Sequence, residues 1–313
     1  MLDVALLGTG GMMPLPNRFL TSFLLRFNGR LLLVDCGEGT QVTMKLLGWG
    51  YKSVDAICIT HFHADHISGL PGLLLAIGNS DREEPLVMIG PEGLRHVVTS
   101  LCVIAQDLPF QLEFIELPYR QGILPEPAKV GSYEVKSCPM DHRLPCFGYS
   151  FEFKRAGKFS PEKAALNQVP MAVWNKLQKG VDATINGVSY TPSQVLGPPR
   201  KSIKVSYCTD SRPVPILAPF VKDSDLLVCE GLYGEMDKLQ KAASHKHMIF
   251  QEAAKVAKDA NVKELWLTHF SPSLTNPGAF VQEARAIFPK TSVGTDRMSK
   301  TIRYEDEDEE DES

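Results

Sequence analysis

Short apolar runs recur along the chain, several rich in β-branched residues and bounded by Gly, Pro or Asp, and they predict strands. They cover residues 3–8, 22–27, 30–36, 55–60, 85–90, 112–117, 133–138, 148–154, 202–209, 225–230 and 264–269. Apolar positions spaced by three and four predict helices near 40–47, 68–78, 92–106, 247–260 and 278–287. The early strands follow one another like hairpins, whereas the later ones alternate with helices. Sheets covered by helices on their outer faces satisfy both patterns, which makes this an α/β chain. Residues 1–11 start with an acid and lack a basic segment, so they read as a first strand and a Gly-rich turn, not a signal peptide. No apolar run approaches the ~20 residues of a membrane span.

Residues 155–200 break the pattern. A connection of that length is too long for a structureless loop and predicts an inserted arm. From 151 to 204 it holds nine Lys or Arg against three acids, together with Phe159, Trp174 and Tyr190. Gly197-Pro198-Pro199 reads as a stiff linker, and Asp81-Arg82-Glu83-Glu84 as a solvated loop. The net charge of −4 hides a second asymmetry. Residues 305–312 are eight consecutive acids, and the rest of the chain carries +4 without them. Such a block repels itself and reads as a disordered tail over 305–313, leaving a body at 1–304. The seven cysteines include no C-x-x-C pair and lie mostly in strand-like surroundings, as reduced thiols of a cytoplasmic protein would.

The strongest chemical signal is "THFHADH", residues 60–66. Imidazole and carboxylate are the donors that borderline cations such as zinc accept. One turn cannot easily aim His61, His63, Asp65 and His66 at a single ion, but two and two they can begin two adjacent sites. His142, Asp210 and His269, each just after a predicted strand, are the available partners. The resulting set is His61, His63 and His142 for one metal, Asp65, His66 and His269 for the other, with Asp210 as a bridge. An open position on each ion marks a catalytic site. "VDAICITHF" and "VKELWLTHF" are an internal echo, two strands that each deliver Thr-His-Phe. Asp35 is either a brace for the histidine loop or a plain turn residue before Gly37, and Glu230 has the same two readings. Gly8, Gly10 and Gly11 fit a tight turn better than a phosphate cradle.

H-x-H-x-D-H after a strand resembles the signature of the metallo-β-lactamase superfamily, an αββα sandwich with its metals at one edge of the two sheets. Finer motifs are similar to those of the ribonuclease Z family: "LGTGGMMPLPNRFLTS", "DCGEGTQ" at 35–41, "HFHADHISGLPGLL", His142 with Phe147-Gly148-Tyr149, Asp210 with Ser211-Arg212-Pro213, and "LTHFSP". The resemblance spans residues 1 to about 304. It implies a zinc-dependent endoribonuclease, two ions per chain, that trims 3′ trailers from precursor tRNA and leaves a 3′-hydroxyl on the tRNA and a 5′-phosphate on the trailer. It also implies a homodimer in which one subunit's arm reaches the other's substrate. By the loop match "SHKHMIFQEAA", His247 takes the place of the family's proton-donating histidine, and Asp65 is placed to accept a proton from the attacking water. Lys158, Lys163, Lys176 and Lys179 are the arm side chains to test first for RNA contact. The chain departs from the family at Ile249, where a threonine is expected, at Met171-Ala172, where Gly-Pro is expected, and at 229–232. Two other functions fit the same residues: a phosphodiesterase for small or other nucleic-acid diesters, and a zinc-bound RNA-binding protein without turnover.

Overall fold

Backbone pairing begins with an antiparallel ladder. The computed structural model describes residues 1–105, 107–131 and 133–305; the acidic run from residue 306 onward lies outside the described residues. β1 (Leu2–Gly8), β2 (Ser22–Phe27) and β3 (Arg30–Val34) pair as successive antiparallel neighbours. The β2–β3 turn is Asn28-Gly29, with φ of 51° and 77°, the left-handed pair that a two-residue hairpin needs. β4 (Val54–Cys58), β5 (Leu86–Pro91) and β6 (Leu112–Leu117) then join in parallel. Parallel addition requires crossovers, here α1 (Thr40–Leu47), α2 (Ala64–Ile67) with α3 (Leu70–Gly78), and α4 (Leu94–Leu101).

A second sheet starts with the antiparallel strands β7 (Ala128–Val130), β8 (Tyr133–Met140) and β9 (Cys146–Arg155). After α5 (Pro161–Leu166), α6 (Met171–Gln178) and the hairpin of β10 (Ala183–Ile185) and β11 (Val188–Tyr190), it resumes with β12 (Arg200–Cys208), β13 (Leu226–Glu230), β14 (Leu265–Thr268) and β15 (Thr291–Val293). The last four run parallel. α7 (Leu217–Val221), α8 (Leu239–Ser244), α9 (Phe250–Asp259) and α10 (Val281–Ile287) lie between them, and β16 (Ser299–Ile302) returns to pair with β1. The seven-stranded sheets read β16-β1-β2-β3-β4-β5-β6 and β15-β14-β13-β12-β9-β8-β7.

The period-two alternation of the strands sorts their side chains between two kinds of core. Leu24, Leu33, Ile57 and Met88 pack with Met44, Leu73, Ile77, Leu94 and Val98 of the first sheet's helices. Leu227, Cys229, Leu265 and Leu267 pack with Phe220, Phe250, Ala253, Ala257 and Ala284 of the second sheet's helices. Phe23, next to Leu24, faces the other way and stacks on Tyr207 of the second sheet at 5.6 Å. Tyr149 donates its hydroxyl to the carbonyl of Ile59 at 2.7 Å, a second tie between sheets. The layers are therefore helix, sheet, sheet, helix. All seven cysteines are free and buried. Among the described residues no helix is long and apolar enough to cross a membrane.

Contacts divide the chain into two units. One comprises residues 1–152 and 204–303; the other comprises 153–203 with Tyr304 and Glu305. The smaller unit has its own core of Ala164, Val169, Val173, Leu177, Ala183, Val195 and Leu196. Phe159 lies against Trp174 at 5.0 Å, and the Trp174 indole donates to the carbonyl of Val169 at 2.8 Å. Asn186-Gly187, at φ of 53° and 76°, closes the β10–β11 hairpin. The Gly197-Pro198-Pro199 stretch is packed within this unit, because a Cβ on Gly157 would meet the Gly197 carbonyl oxygen at 2.1 Å.

One expectation is overturned. Asp81-Arg82-Glu83-Glu84 is not simply a solvated loop, since Arg82 is 1% exposed. Its guanidinium donates to the carbonyls of Glu84, Lys52 and Pro85 at 2.9, 2.7 and 2.7 Å. The cation holds the loop by satisfying backbone acceptors that burial would leave unpaired. Arg82→Met should cost about 3 kcal/mol, because three carbonyls lose their donor. Urea unfolding checks this; a midpoint equal to that of the unsubstituted chain would contradict it.

Candidate metal centre

The "THFHADH" stretch changes conformation halfway, which is how one short segment serves two sites. β4 ends at Cys58, the chain bends at Thr60, and His63 caps α2 in an extended conformation at φ −70° and ψ 149°. Asp65 and His66 then project from the single helical turn. Asp210 follows β12 and His269 follows β14, each at a left-handed corner with φ of 49° and 59°. Such corners cost about 1–3 kcal/mol for a non-glycine residue, and here they turn side chains off strand ends into the site. His142 follows β8 at the same edge.

The structure brings together all seven candidate ligands. His61, His63, His142 and Asp210 form one group of donor atoms within 4.8 Å of one another, and Asp65, His66 and His269 form a second. In the first, His61 Nε2 lies 2.8 Å from His63 Nδ1, which lies 3.2 Å from His142 Nε2. In the second, His269 Nε2 lies 3.3 Å from both His66 Nε2 and Asp65 Oδ2. Asp210 reaches both. Its Oδ2 is 3.6 and 3.7 Å from His61 and His142, and its Oδ1 is 3.3 and 3.1 Å from His66 and His269. Donors at ~2.0–2.2 Å around a tetrahedral cation stand roughly 3.4 Å apart, so the spacing suits metal ions. Buried Asp210 Oδ1 makes no well-formed hydrogen bond, as expected of an atom kept for a cation.

A second layer of polar groups aims these rings. His66 donates from Nδ1 to Asp35 Oδ2 at 2.7 Å, which turns its Nε2 lone pair to the site. The Thr60 hydroxyl donates to the same carboxylate at 2.9 Å and lies 3.1 Å from His61 Nδ1. Asp35 is thus a brace as well as a turn residue, at φ 57° and fully buried. Glu230 accepts from His247 Nδ1 at 2.9 Å and from the Ser211 amide at 2.5 Å, and it lies 3.9 Å from His269 Nδ1. Arg212 donates to the His247 carbonyl and forms a two-pronged ion pair with Glu252. Glu252 also accepts from the Ile249 amide at 3.1 Å, so the helix start is held without the threonine hydroxyl.

The charge balance favours cations. Burial pushes His61 and His63 down and His142 to about 4, so these rings are neutral donors. Burial acts downward on His66 too, but Asp210, Asp35 and Asp65 outweigh it and raise this ring well above its ordinary value. Burial likewise opposes the charge on Asp65 and Asp210, yet the surrounding imidazoles hold both well below the usual carboxylate range. On His247 the downward effect of burial is outweighed by Glu230 and then Asp210, which push the ring up to about 9.

A cavity of about 600 Å³ opens onto both groups, lined by His63, Asp65, His142, Asp210, His247 and His269, and by Met12, Met13, Arg143, Leu232, Tyr233, Lys241, His245 and Ser271 to Ser273. His245 is exposed, its Nδ1 turned back to the Lys241 carbonyl at 2.8 Å. The Gly-rich loop enters the site in a way that sequence reasoning missed. The Met12 amide donates to Asp65 Oδ2 at 2.6 Å. A Cβ on Gly11 would meet the His269 ring at 2.7 Å, so glycine there makes room for a site residue. Of the four arm lysines, Lys176 and Lys179 are exposed, as is Lys158, while Lys163 donates to the Leu196 carbonyl at 2.7 Å within the smaller unit.

The chain is 53% identical to a ribonuclease Z of Lachnospira eligens over 98% of its own length and 100% of that protein. It is 51% identical to a ribonuclease Z of Clostridium acetobutylicum over 97% of this chain and 99% of the other. Among solved structures, human tRNase Z, short form, matches with a TM-score of 0.69 and 25% identity, covering 96% of this chain and 99% of that one. The metallo-beta-lactamase fold protein YhfI from Bacillus subtilis matches at 0.67 and 19% identity, over 96% and 98%. The αββα layering is therefore the metallo-β-lactamase fold. A family model described as anti-Pycsar protein Apyc1 also matches, over residues 2–155.

Gly11→Ala tests how tightly the loop is fitted around His269. The added methyl has to displace the ring, and metal binding at the Asp65, His66 and His269 group should weaken at least tenfold. Thermal unfolding of the metal-free protein should shift by only a few degrees. Competition with a chelating dye reads the affinity; two sites of undiminished affinity would contradict the fit.

Proposed function

The chain belongs to the ribonuclease Z family, and on that premise we propose that it is a metal-dependent endoribonuclease that removes the 3′ trailer from precursor tRNA. The observation that carries the reading at this site is the shared reach of Asp210, whose two oxygens face the two imidazole groups within 3.1–3.7 Å. His61, His63 and His142 would hold one zinc ion, Asp65, His66 and His269 a second, with Asp210 common to both. Zinc fits five imidazoles and two carboxylates better than magnesium or calcium does, since those prefer oxygen donors. Bound there, the pair would supply Lewis acidity and a water of lowered pKa for attack on a phosphodiester.

The chain's own groups do the rest. Asp65 would accept a proton from the attacking water, and the Met12 amide, donating to its Oδ2 at 2.6 Å, supports that reading by fixing the carboxylate. His247 keeps its Nδ1 proton on Glu230, which leaves Nε2 as the atom that gives a proton to the departing 3′ oxygen. The phosphorus–O3′ bond breaks, so the tRNA keeps a 3′-hydroxyl and the trailer a 5′-phosphate. The exposed lysines of the smaller unit, Lys158, Lys176 and Lys179, together with Lys163, supply positive charge for the RNA backbone. The same reading assigns the protein to the cytoplasm, which its seven free thiols suit, and makes it a homodimer with precursor tRNA as its partner.

Incubation with a 3′-extended tRNA and with bis(p-nitrophenyl) phosphate tests the activity, with end-mapping of the products. Cleavage of the diester alone would overturn the tRNA reading in favour of a small-diester phosphodiesterase. His247→Ala should slow tRNA cleavage by ~10²–10⁴-fold. The loss should shrink on the nitrophenyl diester, whose leaving group needs no proton, and an equal loss on both substrates would exclude His247 as the donor. Replacing residues 156–196 by a short Gly-Ser link should raise KM for precursor tRNA severely and flatten its salt dependence, because phosphate contacts release counterions. Normal processing by the armless protein would show that the arm does not grip RNA.

A further inference from the structure

The cavity's rim is chemically lopsided. On the His142–His247 side it carries two cations, Arg143 and Lys241. Arg143 extends from the residue after His142 to the end of α8, where it donates to the Ser244 carbonyl at 3.4 Å. Lys241 lies on α8 itself, its ammonium 5.2 Å from the Tyr233 ring centre. Both are exposed, so neither cation is consumed by burial. On the Asp65–His269 side the rim residues are neutral, Met12 and Met13, 62% and 63% exposed, and Pro272, and the nearby Arg18 is tied to the carbonyls of Ser271 and Leu274 at 3.4 and 2.9 Å. The sides are fixed by contacts, since the Met12 amide binds Asp65 and Gly11 abuts His269.

We propose that this asymmetry sets the direction of the RNA strand: Arg143 and Lys241 form a phosphate subsite for the linkage immediately 5′ to the scissile one. This rests on the reading of the site as an RNA-cleaving centre with His247 as proton donor. A donor at His247 requires the departing O3′ to lie beside it. The nucleoside that owns this oxygen then extends over the His247 side, and its own 5′-phosphate arrives at the two cations. The trailer's first nucleoside stays attached through a non-departing oxygen and falls to the neutral rim of Met12, Met13 and Pro272, where no phosphate is needed. A guanidinium suits the two-pronged hydrogen bonding of a phosphate, and a flexible ammonium adds charge.

The test is a cycle between RNA and protein changes. Precursor tRNAs carry one uncharged methylphosphonate, at the linkage either immediately 5′ or immediately 3′ to the cleavage site. They are cut by the full-length protein, by the double variant Arg143→Gln/Lys241→Gln, and by Lys258→Gln, which removes a charge from the exposed face of α9. On the unsubstituted protein the 5′ replacement should lower kcat/KM about tenfold or more, the scale of one charged hydrogen-bonded contact, and the 3′ replacement should cost less. The double variant should lose a similar factor on ordinary RNA and almost nothing further on the 5′-methylphosphonate, because each change removes the same contact. Lys258→Gln should show the full 5′ effect. Additive losses, or coupling to the 3′ linkage, would overturn the subsite. Failure of the unsubstituted protein to cut any precursor tRNA would overturn the substrate reading and the subsite with it.

Discussion

A buried carboxylate between two sets of imidazoles is the constraint on which the rest depends. Asp210 is 2% exposed and lies within 4 Å of His61, His66, His142 and His269. An ionised group at that depth is expensive unless it is paired. Imidazoles supply a partial answer only, since burial keeps His61 and His142 from charging. The pair of divalent ions proposed above would complete the answer: it would more than offset the charges of Asp65 and Asp210 and would occupy lone pairs that otherwise face one another at 2.8–3.3 Å. The left-handed corners at Asp35, Asp210 and His269 are strain that such a centre can sustain.

The sandwich suits that centre because it places several strand ends together at one edge. β4 and β14 belong to different sheets, and each delivers a Thr-His pair, His61 to one group and His269 to the other. That is the physical content of the internal echo between "ICITHF" and "LWLTHF". Two fully buried acids that follow or end strands stand behind the site, Asp35 after β3 against His66 and Glu230 at the end of β13 near His269 and His247. These strand-end ligands and their braces therefore come from the same architectural position, while Asp65 and His66 come from the short helical turn that follows β4.

The local features were legible in the sequence. Alternating and three-four spacings marked most of the longer strands and helices, and H-x-H-x-D-H with three strand-end residues identified all seven converging donors. Long-range features were not. The need for glycine at position 11 arises from the ring of His269, which nothing near it announces, and Asp35, which the sequence left between brace and turn residue, is decided only by its contacts with Thr60 and His66. Arg82 sat in a charged run that looked solvated, while its guanidinium in fact satisfies three backbone carbonyls. The three- and four-residue strands β7, β10, β11, β15 and β16 are too short for alternation to stand out. Asn186-Gly187 did carry a readable hairpin signal for β10 and β11, masked by the polar residues around it.

Metal stoichiometry tests the central claim most directly. Metal-free full-length protein would be titrated with zinc while bound metal per chain is counted by mass spectrometry, alongside Asp210→Asn. Two equivalents per chain, with the substitution weakening both, is the result required by a carboxylate common to two ions. Saturation at one equivalent, or two sites of unchanged affinity in Asp210→Asn, would contradict it.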